Sequence, residues 1–188
     1  MTTTEERILD AATDVLGGDP NAGMDAIATA AGVVRRTVYG YFPSRSDLVL
    51  ALTRRAAGEI EVVLASVDDG GPADATWVAF LDRVWPLVRR YRVLVVLRRG
   101  PFGPDIHALL TPVDRTLAQL VERGQDAGQF GRHLPAAVLA QVAWSALFTI
   151  ADHDLTLDGL DARAATTSSL LLLGVPADRA SAILADAS

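Results

Sequence analysis

Within MDAIATAAGVVRRTVYGYFPSRSDL, residues 24–48, the side chains with chemistry to offer are Arg35, Arg36, Thr37, Tyr41 and Arg45. No nucleophile stands beside a base among them, so what they offer is hydrogen bonding and charge. Arginine bonds guanine O6 and N7 in pairs, and threonine donates to a base or touches the thymine methyl. Tyrosine hydroxyls and arginines also bond phosphate oxygens. A target that suits all of these residue types is double-stranded DNA.

The distribution of charge agrees with that reading, although the total does not. The chain has 188 residues and a net charge of −6. Between Val33 and Ala57 five arginines (35, 36, 45, 54, 55) face one acid, Asp47, a net +4. Elsewhere twelve arginines face twenty-two acids, a net −10. Positive charge is therefore concentrated in one short segment of an acidic protein, and local balance is what DNA senses.

Such residues need a scaffold, and the local pattern supplies a helix-turn-helix over about Asp25 to Phe42. Asp25 suits the first turn of a helix, where negative charge meets the positive end of the dipole. Ile27, Ala28 and Ala31 make that helix's inward face. Gly32 permits the left-handed backbone of a sharp turn. Val33 and Val38 add apolar contacts, and the small Ala28 lets a second helix, about 35–41, cross closely. Two helices meeting at about 90–120° across a short turn have these needs. The second helix leaves Arg35, Arg36, Thr37, Gly40 and Tyr41 largely outside the core, and Arg45 falls in the first turn of the helix after it.

Helical periodicity continues along the chain, with glycine and proline at helix-length intervals. The first helix spans about 5–16, with Thr3 and Glu6 as a capping box and Ile8, Ala12, Val15 and Leu16 as one stripe. Ser44 and Asp47 open a helix over about 45–66, and DDGGP at 68–72 breaks the chain. Helices are expected at about 74–90 (kinked at Pro86), 92–99, and from the GPFGP turn to about 127, with Thr111-Pro112 starting or kinking the last. Others follow at about 136–151, 161–173 and 178–186. Residues 134–151 are apolar enough to border on membrane-span length, but a buried interface helix fits better, because Gln141 and Ser145 interrupt the run. Apolar surface over much of the helices at 136–151 and 161–173 points to a dimer interface. Half the residues are hydrophobic, enough for a substantial core, and cysteine is absent, which excludes disulfides and thiolate sites. No export signal is read at the N-terminus.

At RILDAA and IATAAGVVRRTVYGYFPSRSDLV the chain resembles the tetracycline-repressor-like (TetR) family of bacterial regulators. That family's phrase is close to IA-xx-AGV-xxx-T-hydrophobic-Y-x-YF-x-S-K-xx-L. The likeness covers the first quarter of the chain; the remainder agrees only in helix layout. It implies an all-α cytoplasmic homodimer with two reading heads for a palindromic operator and a C-terminal domain for a small-molecule effector. It places Arg35, Arg36, Thr37 and Tyr39 at base-contacting positions, and Tyr41 and Arg45 at phosphate-contacting ones. Departures are Gly23 and Val34, where the family has hydroxyl caps, and Arg45, where it has lysine. The division expected is a helix-turn-helix DNA-binding domain over 1–44 and a helical effector-binding and dimerisation domain over 45–188.

In that second domain Gln141, Ser145, Phe148 and Asp152 recur on one helical face, a mixed lining that suits a ligand pocket. With Trp85, His107 and Trp144 they form the expected effector site, a reading drawn mostly from the resemblance. Asp152-His153-Asp154 reads as a solvated helix end rather than a metal fragment. No cofactor, metal or membrane partner is implied. Ser145 lacks a nucleophile elbow and no Gly-rich phosphate loop occurs, so catalysis has little support. A repressor released by an effector is the leading reading. A constitutive DNA-binding structural protein and a small helical enzyme on a helix-turn-helix scaffold stand as alternatives.

Overall fold

Thr3 starts the first helix by a reciprocal exchange: its backbone N–H donates to Glu6 Oε2 at 2.6 Å and its hydroxyl accepts from the Glu6 N–H at 3.2 Å. Two orphan donors of the helix end are thereby satisfied. The computed structural model describes residues 2–153 and 161–186. Among them are ten α-helices and no strand: α1 Thr4–Gly18, α2 Met24–Ala30, α3 Arg35–Tyr41, α4 Arg45–Val67, α5 Ala73–Arg90, α6 Val93–Leu97, α7 Gly103–Asp126, α8 Ala136–His153, α9 Ala162–Leu172 and α10 Ala177–Asp186. The fold is all-α, with a helix-turn-helix near the N-terminus.

The chain divides into two compact units, one of residues 1–58 with 90–110, the other of 59–89 with 111–188. In the first, Ile8, Ala12 and Leu16 of α1, Ile27 of α2, Val38 of α3 and Leu48 and Leu52 of α4 are fully buried. Their i, i+4 and i+8 spacing on α1 is what turns one helical stripe inward. Asp10 on α1 accepts from Arg55 and, at 2.8 Å, from Arg90. Arg92 adds a bond to the Gly17 carbonyl at 3.0 Å.

In the second unit Trp77, Phe80, Leu81 and Val84 of α5 are buried with Leu139, Ala143 and Leu147 of α8 and Leu170 of α9. Burying an indole demands a partner for its N–H. Trp77 Nε1 donates to Ser169 Oγ at 2.9 Å, and that hydroxyl donates to the Ala143 carbonyl at 3.1 Å. One small residue on α9 thus ties α5 to α8. The buried carboxylate of Asp74 is held by Arg179 of α10 through Nε at 3.0 Å and through Nη2. A Cβ on Gly124 would stand 2.2 Å from the ring of Phe130, so only glycine lets the aromatic lie against α7.

Helix positions follow the periodicity closely, with one correction. GPFGP is not wholly a turn, because α7 begins at Gly103; Thr111-Pro112 lies within that helix, one of the two places expected for it. The apolar stripe explains this: Ile106, Val113, Leu117 and Val121 are all buried, so the inward face continues through the proline, at the loss of one backbone N–H. Pro86 likewise stands inside an unbroken α5. No helix among the described residues is long and apolar enough to cross a membrane. The run at 134–151 forms α8 instead. Its side chains are buried at Leu139, Ala143 and Leu147, while Val138 and Val142 remain 44% and 39% exposed.

Candidate nucleic-acid interface

The turn between α2 and α3 closes by two backbone bonds. The Gly32 N–H reaches the Thr29 carbonyl at 3.1 Å, and the Val33 N–H reaches Ala28 at 3.0 Å. This is the paired closure of a Schellman cap, which needs a left-handed residue at its corner. Gly32 supplies it with φ of 65°. Arg7 then caps the Ala31 carbonyl from α1 at 2.7 Å. Inside the angle of the two helices lie Ile27, Ala28, Val38 and Phe42, all buried. The inward set thus includes the Ile27, Ala28 and Val38 that periodicity selected.

What remains of α3 faces out. Arg35 and Arg36 are exposed, Thr37 and Tyr39 are half-buried, and Tyr41 is exposed. The two arginines differ. Arg35 Nη1 contacts Asp25 Oδ2 at 2.7 Å, its Nη2 donates to the Tyr39 hydroxyl at 3.2 Å, and its guanidinium lies 5.1 Å from the Tyr39 ring centre. Arg36 makes no hydrogen bond or ion pair with a described residue. Arg35 thus has partners on both helices, and Arg36 has none among the described residues. Neither α2 nor α3 has a side-chain cap, since their cap positions are Gly23 and Val34.

Arg45 behaves differently from a plain surface cation. It is half-buried, and its Nη1 and Nη2 donate to the carbonyls of Ala22 and Pro20. It thereby closes the loop that leads into α2. Planar forked donors suit two neighbouring carbonyls. The capping box expected of Ser44 and Asp47 forms by half: the Asp47 N–H donates to Ser44 Oγ at 3.1 Å, but Asp47 Oδ2 accepts from the Ser44 hydroxyl, at 2.7 Å, rather than from its backbone N–H.

Two participants are invisible to sequence reasoning. Local pattern makes Asp25 only a charge favoured at a helix start, yet it is the partner of Arg35 across the turn. Arg7, remote in the chain, caps the corner. Neither pairing repeats at a helical spacing, so periodicity carries no signal for them.

The residues expected at an effector site divide between the units. His107 lies exposed on α7 in the first, while Trp85, Gln141, Trp144, Ser145 and Phe148 belong to the second. Trp144 is buried, its ring centre 5.3 Å from Phe80 and 4.8 Å from Phe148. Trp85 is buried, Phe148 half-buried and Gln141 exposed. Ser145 donates its hydroxyl to Val142 of its own helix at 3.0 Å. The side chains of Asp152, His153 and Asp154 lie outside the described residues. A separate groove of about 540 Å³ lies in the second unit, lined by Val78, Asp82, Arg83, Arg163 and Leu184 among others. It uses none of the expected pocket residues.

Residues 8–52 match the sequence profile of "Bacterial regulatory proteins, tetR family". Over 73 residues the chain is 44% identical to the HTH-type transcriptional repressor LfrR of Mycolicibacterium smegmatis, a stretch covering 38% of this chain and 39% of that relative. The chain thus spans about two fifths of LfrR's length in that match. The solved structure of the TetR-like regulator LfrR from Mycobacterium smegmatis in complex with proflavine superposes with a TM-score of 0.74 at 25% identity, covering 91% of this chain and 94% of that one. The fatty acid degradation regulator FadR from Bacillus halodurans superposes with a TM-score of 0.77 at 20% identity, over 92% and 96% of the two chains. That likeness is one of fold.

Proposed function

We propose that this chain, a member of the tetR family of bacterial regulatory proteins, represses transcription by holding a palindromic DNA operator and releases it when a small molecule binds. The observation that carries this reading is the exposed arginine-bearing face of α3, mounted on a glycine-cornered turn. Arg35, Arg36, Thr37 and Tyr39 read base edges, and Tyr41 and Arg45 meet phosphates. Residues 1–44 do the reading; 45–188 bind effector and dimerise. LfrR, similar over the N-terminal stretch, is a repressor, and its structure holds proflavine, which supports an effector-released repressor here.

Two reading heads require a dimer. Val138 and Val142 on α8 and Leu171 on α9 are exposed apolar side chains on two helices that pack together. Covering them with the same patch of a second copy gives an isologous interface. The effector acts only as far as it prefers one spacing of the heads. Helix α4 runs continuously from residues of the first unit into residues of the second and is the route by which that preference reaches the DNA. Trp85, His107, Gln141, Trp144, Ser145, Phe148 and Asp152 are the residues assigned to effector binding. The relatives are regulators, and the chain is read as one rather than as an enzyme.

The test is a duplex-selection experiment followed by titration with and without a library of small molecules. Recovery of a palindromic motif, and its release by at least one compound, are the expected results. Binding with no motif would overturn the reading in favour of a structural DNA-binding protein. Arg36→Ala, lacking an intramolecular tie to lose, weakens operator binding by about 1–3 kcal/mol if it contacts a base pair directly. Unchanged affinity and preference would remove Arg36 from the interface.

A further inference from the structure

Arg35 reaches Asp25 and Tyr39 at once. The carboxylate belongs to α2 and the phenol to α3, one turn beyond the arginine. The carboxylate takes one proton of Nη1 at 2.7 Å, and the phenol oxygen takes one of Nη2 at 3.2 Å. The ring adds a cation–π contact at 5.1 Å. A guanidinium carries five N–H donors in a rigid plane, so three remain, which still allows a pair of parallel bonds to a purine edge. The pair is open to water: the side chains of Arg35 and Asp25 are 63% and 66% exposed. Exposed ion pairs contribute little to folding stability. A carboxylate beside a surface that must approach DNA phosphates also opposes binding. An acid in the first turn of α2 is favoured by the helix dipole, but that preference is met without a contact to Arg35, so the pairing itself is explained neither by stability nor by affinity.

We propose that Asp25 is a positioning residue for base recognition: with Tyr39 it holds the Arg35 guanidinium in one orientation before DNA arrives, and so sets preference at one base pair without touching it. The inference rests on Arg35 contacting a base, as in the function proposed above. Fixing the side chain beforehand removes rotamer entropy that binding would otherwise cost. It also narrows the directions in which the fork can point, so wrong bases meet donors that cannot turn to suit them. Asp25 therefore trades general affinity for discrimination.

The experiment measures base preference at every operator position, by selection from randomised duplexes and then titration of single-base operator variants. It compares wild type, Arg35→Ala, Asp25→Ala, Asp25→Asn and the double variant Asp25→Ala/Arg35→Ala. Arg35→Ala is expected to erase preference at one base pair per half-site, by at least about fivefold. Asp25→Ala weakens preference at that same base pair by about two- to tenfold, and adds nothing when Arg35 is already alanine. Asp25→Asn, which keeps size and shape, shows a smaller loss. Affinity of Asp25→Ala for scrambled duplex stays level or rises, because a negative charge has gone. A fall in all affinities in parallel would mark a structural role and overturn the proposal. So would unchanged preference in Asp25→Ala, or an equal effect with and without Arg35. If Arg35→Ala itself changes no base preference, the assignment of Arg35 fails and this inference fails with it, an outcome distinct from Asp25 alone being silent.

Discussion

Arg45 is a loop clamp to which the proposed function adds a phosphate contact. Its fork closes on the carbonyls of Pro20 and Ala22, yet a guanidinium has donors to spare for a phosphate. The two roles separate by substitution. Arg45→Ala is expected to lower stability by about 1.5–3 kcal/mol, the usual worth of hydrogen bonds to a charged group. It also flattens the dependence of log K on log salt by about 0.9 for each phosphate that is no longer neutralised. Arg45→Lys keeps the positive charge and three donors but lacks the rigid fork that meets both carbonyls at once, so it retains the salt slope and loses part of the stability that Arg45→Ala loses. Thermal melts and an operator titration over a salt series read the two effects. An unchanged slope in Arg45→Ala would leave Arg45 as a loop clamp alone. Base preference should survive in both variants, because phosphate contacts position and base contacts specify.

Helices α2 and α3 are short and have no side-chain cap. Helix α3 runs only from Arg35 to Tyr41, and Val34 at its cap offers no side-chain acceptor. Short helices gain little from propagation, so their ends matter. Val34→Ser supplies an acceptor for an orphan N–H and should raise stability by about 1 kcal/mol, since Val34 is 69% exposed and sacrifices no core packing. Denaturant unfolding checks it, and a decrease would place Val34 in a contact that exposure does not reveal. At the far end of α4 the relevant device is electrostatic. Arg123 of α7 makes a two-pronged bond to Asp68 at 2.7 and 3.2 Å. That bond holds the Asp68 carboxyl below its ordinary 3.8, against an opposing effect of burial and with help from the Gly70 N–H. A lowered pKa means stability that is complete above the ordinary value and lost as pH falls through the lowered one. Arg123→Ala should therefore cost about 0.2–1 kcal/mol near neutral pH, and the gap from wild type should close below about pH 4. A gap that persists in acid would point to packing by the arginine stem instead.

For the whole molecule, charge and association decide function. In the proposed complex the segment 33–57 at +4 would approach DNA while the rest of the chain carries −10. On that proposal a few phosphate contacts carry the binding, so operator binding is expected to be steeply salt-dependent and scrambled DNA to be bound weakly. The proposed dimer would double those contacts. Leu171 is 48% exposed on α9, and Leu171→Arg would place a charge in the proposed interface. It should weaken the dimer by at least about tenfold, equivalent to about 1.4 kcal/mol, and weaken operator binding with it. Sedimentation over a concentration series measures this. A wild-type chain that is monomeric at micromolar concentration would refute the assembly.

Local chemistry was legible from the sequence wherever it depends on neighbours in the chain. The capping box at Thr3 and Glu6, the left-handed corner at Gly32, the burial of Ile27 and Val38 and the exposed face of α3 each follow from spacing of a few residues. The sites where this failed are those made by groups distant in sequence. Asp25 meets Arg35 only because the Gly32 turn folds α2 and α3 together. Arg7 meets Ala31, and Arg45 meets Pro20 and Ala22, because tertiary packing brings distant segments into reach. Pro112 sits inside α7 because a continuous buried stripe outweighs one missing backbone bond. Residue type and period set which elements form and which faces turn inward; which polar group answers which is decided when the chain folds, since hydrogen bonds are short-ranged and no local pattern encodes a partner dozens of residues away.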